Sequence, residues 1–132
     1  MHKVSVIILC LTFTLTSCCL SSALSDGSDT IIKESSNERH DKKTILFLRQ
    51  AGATVGDSYQ VTVMGFNNKF DTTSVGNTFT VDTDHNKTSF DSTSINFTWL
   101  SNDTLQIDYD KLLRTFIQKQ NVEGVTIIYK AR

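Results

Sequence analysis

The fifteen residues Ile95 to Tyr109, INFTWLSNDTLQIDY, constrain the fold more than any other stretch of this chain. Ile95, Phe97 and Trp99 fall on one side of a strand with a period of two, and Leu105, Ile107 and Tyr109 on one side of a second. Residues paired across a hairpin share a face, so the register follows from keeping the apolar side whole. A two-residue loop at Asn102-Asp103 would set Trp99 against Gln106 and mix polar with apolar. A three-residue loop, Ser101-Asn102-Asp103, sets Trp99 against Leu105, Phe97 against Ile107 and Ile95 against Tyr109. That register is expected, with Asn or Asp supplying the left-handed residue such a loop needs.

Other short runs extend the sheet. Thr44 to Arg49 (TILFLR) is apolar on both faces, as a central strand would be, and Ser58 to Met64 (SYQVTVM) alternates with Tyr59, Val61 and Val63 on one side. Asn77 to Val81 alternates again, and Val125 to Tyr129 (VTIIY) reads as a closing strand after a turn at Asn121 to Gly124. Leu112, Leu113, Phe116 and Ile117 instead have helical spacing behind Asp110 as an N-cap, so this segment reads as a helix in preference to a strand paired with the last one. The fold class expected is mainly β: a single small antiparallel sheet or sandwich of five to six strands, with room for one short C-terminal helix. Its centre is expected at Phe47, Phe79, Phe97, Trp99, Ile107 and Ile127.

The opposite end of the chain carries an address. Met1-His2-Lys3 is a short basic start, and the apolar run from Val4 to Leu15 is 12 residues long. A membrane span needs about 20 apolar residues, so the run reads as a signal peptide. Two cleavage points compete. Leu15-Thr16-Ser17-Cys18 resembles the lipobox of bacterial lipoproteins, which implies a signal peptide over 1–18 and a lipidated Cys18. Ala23-Leu24-Ser25 has small residues at its first and third positions and suits ordinary cleavage after residue 25. Residues 19–43, rich in Ser, Asp, Lys and Glu, read as a disordered polar tether, and 44–132 as the β domain. All three cysteines, Cys10, Cys18 and Cys19, lie in the leader region, so the domain has neither an internal disulfide nor a thiolate metal site. Without residues 1–25 there remain 12 Lys plus Arg (13 less Lys3) against 14 Asp plus Glu, about −2. That balance argues against nucleic acid as a partner.

The densest polar cluster is Asp82-Thr83-Asp84-His85-Asn86-Lys87. Asp82, Asp84 and Asn86 occupy the first three oxygen-ligand positions of a calcium loop, but Lys87 stands where that loop needs Gly and Thr93 where it needs Glu. An Asx-rich turn is therefore expected, with no metal and no cofactor. His85 with Ser89 and Asp91 would be the only route to a hydrolase, and no strained nucleophile elbow accompanies them. The expectation is a protein that is not an enzyme, with Asp82, Asp84, His85 and Asn86 as binding candidates.

The order GATVGDSYQVTV, NTFTVDTDH, WLSNDTLQIDY and GVTIIY resembles a group of small uncharacterised bacterial exported proteins and lipoproteins, over roughly residues 44–130. The resemblance implies export and a single domain, and transfers no activity. Together these readings lead to an envelope-anchored lipoprotein held by membrane lipid through its acyl chains, acting as a binding or structural module. The alternatives are a secreted inhibitor or immunity-type protein and, further off, a hydrolase using the Asp82 to Asp91 loop.

Overall fold

The computed structural model describes residues 29–52 and 56–132. The leader, Cys18, both cleavage points and residues 19–28 of the expected tether lie outside the described residues. Nine strands form two sheets: β1 (Thr30–Ser36), β2 (Lys42–Arg49), β3 (Ser58–Gly65), β4 (Phe79–Asp82), β5 (Ile95–Ser101), β6 (Thr104–Tyr109), β7 (Arg114–Gln118), β8 (Asn121–Val122) and β9 (Val125–Ala131). The five-stranded sheet runs β1-β2-β3-β4-β7 and the four-stranded sheet β5-β6-β9-β8. Every pairing is antiparallel except β6 with β9. Among the described residues there is no helix, and hence none long and apolar enough to cross a membrane.

The sheets pack face to face over one core. Leu46, Val61, Val63, Phe79 and Val81 of the first sheet meet Ile95, Leu105, Ile107, Val125 and Ile127 of the second, all buried. Of the expected centre, Phe47, Phe79, Ile107 and Ile127 are buried, whereas Phe97 and Trp99 are half-buried and pack on the core from the rim strand β5. The hairpin register is the expected one, Trp99 with Leu105, Phe97 with Ile107 and Ile95 with Tyr109. It is reached differently: the turn is Asn102-Asp103, and a bulge between Trp99 and Ser101 takes up the extra residue. Glu123 and Gly124, with φ of 54° and 76°, make the tight β8–β9 turn, for which two left-handed residues suit the strand twist.

Two expectations are corrected. Residues 30–43 are not tether: β1 pairs along β2, and Asp29, buried, forks Arg49 at 3.0 and 2.8 Å. An edge strand is paired on one side only, so polar residues suit it, and Lys33 reaches the opposite sheet at Ser92 O, Ile95 O and Asn96 Oδ1. The helix expected at 112–117 is β7. Asp110 does form the opening turn, accepting Leu112 N at 2.9 Å and Leu113 N at 3.1 Å. A single short helix would be marginal, while pairing with β4 satisfies a whole strand edge and suits the β-branched and aromatic run Thr115-Phe116-Ile117.

Candidate functional site

The site grows from one row of residues on the outer face of the five-stranded sheet, away from the core. Cross-strand pairing places Phe47, Gln60, Thr80 and Ile117 in line on that face, and Asp82 with Arg114 in the next row. Phe116 is the extra residue of a bulge between β4 and β7, which swings its ring into solvent. The Arg114 guanidinium lies 4.8 Å from the centre of that ring.

Arg114 is held from the other side by Asp82, with Nε–Oδ1 at 3.1 Å and Nη2–Oδ2 at 2.5 Å. This two-pronged geometry fixes the guanidinium plane as a single contact would not. Burial opposes ionisation of Asp82, but the Arg114 fork and the Asp84 N–H at 2.8 Å overcome it and hold the carboxyl below its ordinary range. Arg114 in turn is pushed up by the Asp82 hydrogen bonds. Asp84 receives Lys87 Nζ at 2.8 Å, which lowers its carboxyl, and lies 3.4 Å from Arg114 Nη1.

The turn itself is a short left-handed coil. Asp84, His85 and Asn86 have φ of 47°, 58° and 62°. Such a conformation costs roughly 1–2 kcal/mol per residue for most side chains, and Asp, His and Asn are the types most often found there. Lys87 N donates to Asp84 O and Thr88 N to Thr83 O, both at 3.2 Å, closing the turn. The coil carries His85 over Arg114, with Nε2 3.4 Å from Nη1. A guanidinium only donates, so a hydrogen bond across this contact has Nε2 as its acceptor.

Two cavities, of about 430 and 480 Å³, meet at Gly56, Asp82, His85 and Arg114. The first continues to Asp57, Tyr59, Thr83 and Asn86, the second to Ser58, Gln60, Arg49 and Phe116. The structure therefore brings Asp82, His85 and Asn86 together on one surface, with Asp84 supporting it from behind. It does not assemble His85, Ser89 and Asp91: Ser89 and Asp91 line a different cavity with Arg132, and Asp91 is occupied by Thr93 and Ser94. The calcium-loop oxygens are turned toward Arg114 and Lys87, and no group of three metal-ligating side chains occurs among the described residues.

Sequence reasoning does not place Arg114 or Phe116 at the site, because Phe116 itself belongs to the run with helical spacing and Arg114 lies within it. Read as a strand, RTFIQ would have placed Arg114 and Phe116 on one face. Comparison of the chain with protein-family models, with curated proteins and with solved structures finds no match in any of the three.

Proposed function

We propose that this protein is an exported, non-enzymatic binding module, tethered at the cell envelope through Cys18, whose binding face is the open outer surface around Asp82 and Arg114. The observation that carries the reading is the meeting of two cavities on a forked ion pair, with side chains of mixed polarity around them. Preorganised polar groups beside a ring, set on strands instead of mobile loops, are what a recognition site requires. Address supports it from the sequence side: a basic start, 12 apolar residues and Leu15-Thr16-Ser17-Cys18. Asp29 is the first of the described residues, and the ten positions between it and Cys18 bound the reach from a lipid there to at most roughly 35 Å.

Two measurements test the reading. Mass spectrometry of the mature N-terminus is expected to find diacylglycerol on Cys18; a free Asp26 amine would defeat the anchor and leave the secreted inhibitor or immunity-type protein that the Ala23-Leu24-Ser25 triplet allows. A photoreactive residue placed at Asn86 is expected to give an adduct in intact envelopes, while one at Thr98, exposed on the far sheet, gives none. Equal labelling from both positions would remove the face from consideration.

A further inference from the structure

We infer that the face around Asp82 and Arg114 takes a neutral glycan, with the Phe116 ring as the platform on which one sugar stacks; this rests on the reading of that face as a binding surface. Charge comes first. The charged groups lining the two cavities are Asp57, Asp82, Arg49 and Arg114, which sum to zero. Both guanidiniums are already forked by carboxylates, Arg114 by Asp82 and Arg49 by Asp29, so neither is left to draw in a phosphate or an acid. Asp57 alone makes no cage for a cation.

The second observation is the ring. Phe116 is 56 % exposed, yet the chain fixes it in place by a relay: Asp82 holds Arg114, and Arg114 lies against the ring. An aromatic with few rotatable bonds offers flat apolar area at little entropic cost. The C–H face of a pyranose is a ligand surface that matches it and leaves its hydroxyls directed sideways. Along the two cavities stand groups able to receive them. Ser58 Oγ accepts Gln60 Nε2 at 2.9 Å, and its own proton has no acceptor among the described residues. His85 lines both cavities, and the Asn86 amide nitrogen has no partner among the described residues. Donors and acceptors of both kinds, without surplus charge, fit a polyhydroxylated ligand better than a peptide or a nucleotide. Each cavity has the size of a small-ligand site, about 300–1,000 Å³, and their junction at Arg114 accommodates consecutive sugars of one chain.

The test titrates the full-length protein in detergent micelles with four neutral oligosaccharides: maltohexaose, cellohexaose, laminarihexaose and chitohexaose. Inorganic phosphate and trilysine serve as charged controls, and binding is followed by calorimetry and by amide chemical shifts of β3, β4 and β7. At least one hexasaccharide is expected to bind with a Kd between roughly 10 μM and 1 mM. Phe116→Ala is expected to weaken it about tenfold or more with an unchanged thermal midpoint, and Phe116→Tyr to retain it. Failure of all four sugars to bind at millimolar concentration overturns the inference, as does full affinity in Phe116→Ala or tighter binding of phosphate. Should the sugars fail while the Asn86 adduct still forms, the binding face stands and its ligand is not a glycan; should both fail, the face itself is wrong.

Discussion

Phe47 and Phe116 lie on the same outer face of the same sheet, and one is fully buried while the other is 56 % exposed. The difference is the loop over 66–78. It folds back over β2 and β3, sets Phe70 against Phe47 at a ring separation of 4.8 Å, and brings Gly76 N to Gln60 Oε1 at 2.7 Å. Asn77 then grips Val63 through both backbone groups, Oδ1 accepting N–H at 2.9 Å and Nδ2 donating to the carbonyl at 2.8 Å. Nothing equivalent crosses β4 and β7 among the described residues. One half of the face has been spent on stability, and the other is left open beside two cavities, which is why we place binding there.

Breaking the covered half should give the largest effect. Phe47→Ala removes a fully buried ring packed against Phe70 and is expected to cost about 3–5 kcal/mol in denaturant unfolding, whereas Phe116→Ala on the open half should stay within about 0.5 kcal/mol. Comparable losses at both positions would erase the contrast. The boundary between the halves comes next. Arg49 clamps Asp29 just before β1 and Ser74 O in the covering loop at 2.8 Å, so Asp29→Ala should cost about 3 kcal/mol by stranding a charge. A neutral result by thermal unfolding would mean that Asp29 is not part of the domain.

Gly76→Ala probes how closely the loop lies. A Cβ there would sit 2.9 Å from Gln60 Cβ and 3.0 Å from Val61 O, closer than real contacts allow, so a loss of about 1–3 kcal/mol is expected with β4 and β7 undisturbed in amide exchange. The smallest effect belongs to the open half and depends on pH. The Asp82 carboxyl is lowered on folding, so its contribution is complete above the unfolded value near ~3.9 and is lost as pH falls through the folded value. The gap in thermal midpoint between the native chain and Asp82→Asn should therefore be present at neutral pH and close in strong acid. A gap that persists at the lowest pH would show that the Arg114 fork is not its source.

Legibility of the fold tracked how much of each strand is buried. Strands β2, β3, β4, β5, β6 and β9 all carry buried apolar residues, and a doubly apolar run, alternation or a short apolar run after a turn revealed them, with even the register of the β5–β6 hairpin. Strand β1 escaped because an edge strand anchored by Lys33, Glu34 and Asp29 has the composition of a tether. Strand β7 escaped because its bulge at Phe116 breaks the period of two and lets Leu112, Leu113, Phe116 and Ile117 imitate a helix. The site was half legible for the same reason: the Asx-rich turn announced Asp82, Asp84, His85 and Asn86, but not the cation that orders them, which is 32 residues away from Asp82 in sequence.

What the sequence determined alone was local: which runs alternate, how one hairpin must register, and that Asp, His and Asn could occupy a left-handed turn, since each is written in residues close together along the chain. Which strand stands beside which, which half of a face a loop covers, and which carboxylate meets Arg114 were decided only on folding. Those outcomes depend on sheets closing over a shared core, and the free energy of that burial belongs to no single segment.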